Sequence, residues 1–179
     1  AEPFATPKIL SDYCMGCGAC ALVCPHHAIQ IKGFEFDSVL NRYGEAASRL
    51  KAQDKSPVIL VFCCQWSEFS ALDNPKNTLL KKNALTLEIP CCKALDPVHI
   101  VNALTNGFDG VMAVICSPED CKLQEGKETT ERNTTVLKDA LKKMKLLEHF
   151  EMFEASPRCK DDFEQKLDEF FNKIAAMPS

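Results

Sequence analysis

Four short apolar runs, separated by segments with helical spacing and each followed by cysteine, constrain this chain most. Val58-Ile59-Leu60-Val61-Phe62 is continuous and rich in branched side chains, the pattern of a strand buried on both faces. Leu85-Thr86-Leu87-Glu88-Ile89 and Val111-Met112-Ala113-Val114-Ile115 are the second and third strand candidates. A fourth run, 150–153, is more polar and suits a sheet edge. One intervening helix opens at Asp96, has Pro97 at its first helical position, runs through Val98, Val101 and Leu104, and closes at Gly107. Val136, Leu137, Ala140, Leu141, Met144 and Leu147 line a second helical stripe, and Phe163, Leu167, Phe170, Phe171 and Ile174 a third. Such stripes read as core, not as cofactor contacts. The alternation predicts an α/β fold: a small four-stranded parallel sheet with right-handed crossovers and helices on both faces.

In an open parallel sheet the carboxyl ends of all strands share one rim, and ligands bind there at the switch in strand order. Cys63 and Cys64 follow the first run, Cys91 and Cys92 the second, Cys116 ends the third with Cys121 five residues on, and Cys159 follows the fourth. Seven cysteines distant in sequence are thereby expected at one rim. Four thiolates meeting there suit an iron-sulfur cluster or a tetrahedral zinc. The competing reading is cysteine packed as a small hydrophobe.

Ahead of this domain stands Cys14-Met15-Gly16-Cys17-Gly18-Ala19-Cys20-Ala21-Leu22-Val23-Cys24-Pro25, the spacing that holds a [4Fe–4S] cluster in bacterial ferredoxins. Gly16 and Gly18 let the backbone curl, and Pro25 stops the run. In two-cluster ferredoxins the fourth cysteine of such a run ligates the other cluster, yet the chain has no second run. A helix starting at Cys20 would set Cys24 one turn on, away from the cube held by Cys14, Cys17 and Cys20. The fourth thiolate is then Cys24 by local distortion or a remote cysteine, with Cys159 the best remote candidate; if Cys24 reaches a second cube, that cube needs ligands from another subunit. Ala28-Ile29-Gln30-Ile31 alternates like a short strand, and Val39, Leu40, Tyr43, Ala46, Ala47 and Leu50 follow at helical spacing. The charged segment 51–57 ends in proline and reads as a boundary. The expected organisation is a ferredoxin-like segment over 1–36, a tethering helix and linker over 37–56, and the sheet domain over 57–179.

Length and composition agree with one core plus an appendage: 179 residues, 46% of them apolar. Eleven cysteines without a signal peptide point to a reducing, cytoplasmic setting in which cysteines are ligands or idle thiols. The odd count forbids complete pairing, and adjacent cysteines are poorly placed to bridge each other. The net charge of −4, with the lysines of 138–145 interleaved among apolar residues, argues against nucleic acid. No apolar stretch approaches membrane-spanning length, so direct insertion is not expected. The first residue is Ala1, as in a processed start or a piece of a longer chain.

Val61-Phe62-Cys63-Cys64-Gln65-Trp66-Ser67, Pro90-Cys91-Cys92-Lys93-Ala94-Leu95-Asp96-Pro97 and the segment from Gly110 through Cys116, Pro118 and Asp120 to Cys121 resemble the small iron-sulfur, or delta, subunit of methyl-viologen-reducing hydrogenase. Similar domains are fused to the carboxyl end of heterodisulfide reductase A-like proteins, where a ferredoxin-type segment precedes them. The resemblance covers residues 57 to about 175. It implies a [2Fe–2S] cluster ligated by Cys64, Cys91, Cys116 and Cys121, and electron transfer between a hydrogenase or other dehydrogenase and a heterodisulfide reductase A-like flavoprotein. Ser67, Ser117, Glu119 and Lys122 depart from the family pattern at the rim. Cys63 and Cys92 are additions to it, and either could substitute as a ligand.

The function expected is therefore a non-catalytic electron-transfer subunit of an anaerobic oxidoreductase complex. No residue carries a motif for substrate chemistry: His26 and His27 fit surface or capping roles, and His99 and His149 stand outside any motif. No glycine-rich dinucleotide fingerprint follows the first strand, so flavin and nicotinamide are expected on partner proteins. The alternatives are a reductase component whose rim cluster binds substrate directly, suggested by the cysteine pairs, and a structural zinc module.

Overall fold

The computed structural model describes residues 8–177 except 25, 27, 65–82, 118, 120, 122–125 and 156–159. Its centre is the sheet formed by β1 (Ile59–Cys64), β2 (Ala84–Ile89), β3 (Gly110–Cys116) and β4 (Phe150–Ala155), all parallel in the order β2-β1-β3-β4. All four strands coincide with the apolar runs. β1 is buried along its whole length because it is paired on both sides, whereas β4, with Glu151 and Glu154, takes an edge. The chain moves from β1 to β2 on one side and then returns to β3 on the other, so the switch in strand order lies between the carboxyl ends of β1 and β3.

Alternation along β1 divides the core. Leu60 and Phe62, with Val111 and Ala113 of β3, face one layer; Ile59, Val61 and Cys63, with Met112 and Val114, face the other. The first layer is built from α2 (Phe36–Lys51), α3 (Pro97–Thr105) and α4 (Gly126–Lys143), contributing Val39, Leu40, Ala47, Ile100, Ala103, Leu137 and Leu141. Among the described residues the second is built from α5 (Lys160–Ala175), through Phe163, Leu167, Phe170 and Ile174. A short helix, α1 (Ala19–Val23), lies within the ferredoxin-type run.

The helix expected as a tether, α2, is thus a layer of the sheet's own core. Its Gly44 admits the end of α3 so closely that a Cβ there would lie 2.8 Å from the Asn106 carbonyl oxygen. Tyr43 reaches the edge strand β2 and donates its hydroxyl to the Thr86 carbonyl at 2.7 Å, which helps cover that edge. The strand expected at 28–31 does not form. Ile29 and Ile31 instead line a cavity beside α1, and Ile31 packs against Gly18, so their apolar alternation serves a loop plug and not a ladder.

Asp109 fastens α2 to the sheet, accepting the Val58 backbone N–H at 2.8 Å and the Lys51 ammonium at 2.7 Å. Val58 is fully buried, so losing its acceptor leaves a buried donor unmatched. Asp109→Ala is expected to lower unfolding free energy by about 1–3 kcal/mol, and Lys51→Ala, which breaks only a partly exposed ion pair, by less than about 1 kcal/mol. Urea denaturation of the two variants checks the order.

Candidate metal centres

β1 ends at Cys64 and β3 at Cys116, the two strands that flank the switch in strand order. Their thiols share a hydrogen bond, and Cys64 Sγ also points to the Pro90 carbonyl at 3.9 Å. The loop after β2 passes over this point: Cys91 is extended and buried, and Cys92 opens the short 3-10 turn Cys92–Ala94. Cys92 Sγ donates to the Val114 carbonyl at 3.3 Å and receives a hydrogen bond from the Cys64 backbone. Cys121, past β3, is near enough to Cys92 and Cys116 to oppose their ionisation.

The electrostatics follow from this crowding. Burial, first of all, pushes the Cys92 and Cys63 thiols well up; the Cys116 thiol is pushed up chiefly by its hydrogen bond with Cys64, then by burial and by the thiols of Cys64, Cys92 and Cys121. Thiols that resist ionisation because of one another are stabilised as thiolates by a cation placed among them. An all-sulfur donor set of this kind fits an iron-sulfur cluster. Among the described residues no three His, Cys, Asp or Glu side chains converge as they would around one ion. Cys63 of β1 lies in the layer facing α5, whereas Cys92, in the turn after β2, packs on the opposite face. Cys159 lies outside the described residues.

The ferredoxin-type run is an exposed loop leading into α1. Gly16 at φ +65° and Gly18 at φ +79° supply left-handed turns on either side of Cys17. Cys20 is the second residue of α1 and Cys24 terminates it one turn on, its sulfur accepting the Ala28 backbone N–H at 3.4 Å. Cys14 and Cys20 are exposed and Cys17 and Cys24 half-buried. Four thiols at this spacing, with an N–H directed at one sulfur and glycines where the loop curls, fit a [4Fe–4S] cluster.

The two regions touch. A Cβ on Gly18 would stand 3.2 Å from Ala94 Cβ and 3.9 Å from Pro90 Cβ, and those residues flank Cys91 and Cys92. Beside the contact is a cavity of about 420 Å3 whose walls include Gly18, Ala21, Ile31, Phe36, Ala94 and His99. His99 stands at the start of α3, its ring stacked on Phe36 at 3.5 Å between centroids. Its Nδ1 accepts the Asp96 backbone N–H at 3.0 Å, while the Asp96 carboxylate accepts the Val98 N–H at 2.8 Å, a reciprocal cap at the helix start.

A parallel α/β sheet with a thiol-lined switch point, packed against a loop of ferredoxin spacing, defines an iron-sulfur protein. The chain belongs to the family of the methyl-viologen-reducing hydrogenase delta subunit, whose model matches residues 59–178, and residues 7–30 match the 4Fe-4S binding domain. It is 29% identical over 121 residues to the A-type subunit of the ferredoxin:CoB-CoM heterodisulfide reductase of Methanosarcina mazei, covering 66% of this chain and 15% of that protein. The A-type subunit of the ferredoxin/F(420)H(2)-dependent CoB-CoM heterodisulfide reductase of Methanosarcina acetivorans is 27% identical over 166 residues, 75% of this chain and 21% of the relative. The chain thus spans a small part of the length of either. The vhc iron-sulfur subunit of the F420-non-reducing hydrogenase of Methanococcus voltae is 26% identical over 129 residues, 70% of this chain and 90% of the relative. Among the described residues no helix is long and apolar enough to cross a membrane.

Two features of this region escape a reading of the sequence. His99 belongs to no catalytic or metal-binding motif, yet Asp96 and His99 stand at the spacing of a capping box with histidine in the usual Glu/Gln position. The close approach of Gly18 to Ala94 has no local signal at all. Burial lowers the His99 pKa to about 4 against the opposing pull of Asp96 and Asp37. The unfolded chain therefore takes up this proton more readily, and stability present above about pH 6.5 is lost as pH falls towards 4. His99→Gln is expected to flatten that part of the stability profile, and Asp96→Ala to cost about 0.5–2 kcal/mol at neutral pH; thermal unfolding across pH 4 to 8 measures both.

Proposed function

We propose that the chain is a non-catalytic electron-transfer subunit of an anaerobic oxidoreductase complex. It relays single electrons between a hydrogenase or other dehydrogenase and a heterodisulfide reductase A-like flavoprotein. The observation that carries this reading is the interacting set of Cys64, Cys92, Cys116 and Cys121 at the strand-order switch, packed directly against a ferredoxin-type run. Family membership and the names of the relatives support it.

In this proposal Cys14, Cys17 and Cys20 hold a [4Fe–4S] cluster, with Cys24 or Cys159 as the fourth ligand. Cys64, Cys91, Cys116 and Cys121 hold a [2Fe–2S] cluster, with Cys92 at hand as an alternate. The clusters supply reversible one-electron redox chemistry; the protein's own part is to fix the thiolates, shield the rim and present the loop. Cys63, directed into the α5 layer, serves as core. Residues 1–36 and 57–179 are the two cluster-binding units of this scheme, joined through α2. Around Cys14 the side chains of Ile9, Leu10, Tyr13 and Met15 are exposed, which suits partner docking next to the [4Fe–4S] site.

Protein purified without oxygen tests the reading by iron, zinc and acid-labile sulfide content and by electron paramagnetic resonance after reduction. Cys64→Ser and Cys116→Ser are each expected to lose about a third of the iron, the share of a two-iron cluster beside a four-iron one, together with the rim signal. Cys63→Ser is expected to retain both. Zinc without sulfide in the wild-type protein overturns the proposal.

A further inference from the structure

We propose that Gly18 is a positioning residue that sets the separation between the two cluster-binding loops, and that its contact with Pro90 and Ala94 is the point at which an electron crosses between them. The inference deepens the two-cluster reading above and rests on it.

Gly18 lies between Cys17 and Cys20; Pro90 and Ala94 bracket Cys91 and Cys92; and Cys64 Sγ is directed at the Pro90 carbonyl. At this spot the missing side chain decides the fit. A Cβ on Gly18 would meet Ile31 Cδ1 at 2.7 Å, Ala94 Cβ at 3.2 Å and Pro90 Cβ at 3.9 Å. The Ile31 methyl is the end of a flexible side chain and can turn aside. The Ala94 β-carbon is fixed to backbone and at 3.2 Å can yield only if its loop moves by a few tenths of an ångström, whereas Pro90 Cβ at 3.9 Å stays in ordinary van der Waals contact. Any residue but glycine at 18 therefore pushes the Cys17–Cys20 loop and the Cys91–Cys92 loop apart.

Gly16 supplies the internal comparison. It too has a positive φ, +65° against +79° for Gly18, but a Cβ added there would meet nothing within 4 Å. Backbone curvature alone thus accounts for Gly16, while Gly18 answers to curvature and to the neighbouring loop. The transfer across the contact is a single electron: one cluster is oxidised by one electron as the other is reduced by one, with no bond made and no proton moved. Tunnelling falls off exponentially with distance, so a gap held shut by a glycine is where a small displacement has its largest effect.

The test uses the full chain purified without oxygen, as wild type, Gly16→Ala, Gly18→Ala and Ala94→Leu. Ala94→Leu wedges the same contact from the other side without altering the ferredoxin-type run. Iron and sulfide content reports loading. Magnetic interaction between the two reduced clusters, and redistribution of electrons after a rapid partial reduction, report the gap. Ala94→Leu is expected to keep the wild-type iron and sulfide while the magnetic interaction weakens and redistribution slows several-fold; Gly18→Ala weakens the coupling, and Gly16→Ala keeps it, in whatever fraction loads. Two loaded clusters without magnetic interaction in the wild type overturn the proposal, as does unchanged coupling in Ala94→Leu, which decides alone if Gly18→Ala fails to load. A wild-type chain whose iron and sulfide account for only one cluster defeats the two-cluster reading itself, a failure the counts distinguish from loss of coupling.

Discussion

Parallel pairing of β1 with β2 on one side and β3 on the other is the constraint from which the rest of the molecule follows. It buries β1 completely, which only an uninterrupted apolar run tolerates, and sends the chain out from the sheet in opposite directions at β1 and β3. The crevice left at that divergence is where Cys64 and Cys116 meet, although 52 positions separate them in sequence. Parallel strands also need long crossovers, and the two described ones carry α3 and α4 onto one face, while α5 packs on the other.

The rim shows how burial and like charge combine. Burial and neighbouring thiols make Cys92 harder to ionise, and Cys116, hydrogen-bonded to Cys64, is held up chiefly by that bond. Protonated, these groups pack as small apolar side chains; ionised, they repel. A multinuclear iron centre is the kind of charge that would turn such repulsion into attraction.

Much of this is legible in the residues, and for identifiable reasons. Val58 to Phe62 reads as a central strand because only a strand hydrogen-bonded on both sides uses such a run. Asp96, Pro97 and Gly107 bracket α3 because capping and helix termination are local chemistry. Cys63, expected at the rim as an alternate ligand, instead turns into the α5 layer; strand alternation along β1 is the signal that carries this, and the expectation left it unused. What is not legible depends on contacts between distant segments. The alternation of 28–31 resembles a strand, but the segment pairs with neither edge of the sheet, and Ile31 is consumed against Gly18. The apolar stripe of α2 announces a helix; that it covers the sheet and does not merely join two parts depends on Gly44 meeting Asn106.

That last feature bears on how the iron-sulfur loop travels. Val39, Leu40 and Ala47 are buried in the same core as Leu60 and Phe62, so swinging the amino-terminal segment away would expose them to water, at roughly 1.5–3 kcal/mol for each large apolar side chain. Such a penalty makes α2 a strut and not a swinging arm. The ferredoxin-type loop, seated on Ala94 at Gly18, is carried ahead of that strut as a fitting on the α/β body.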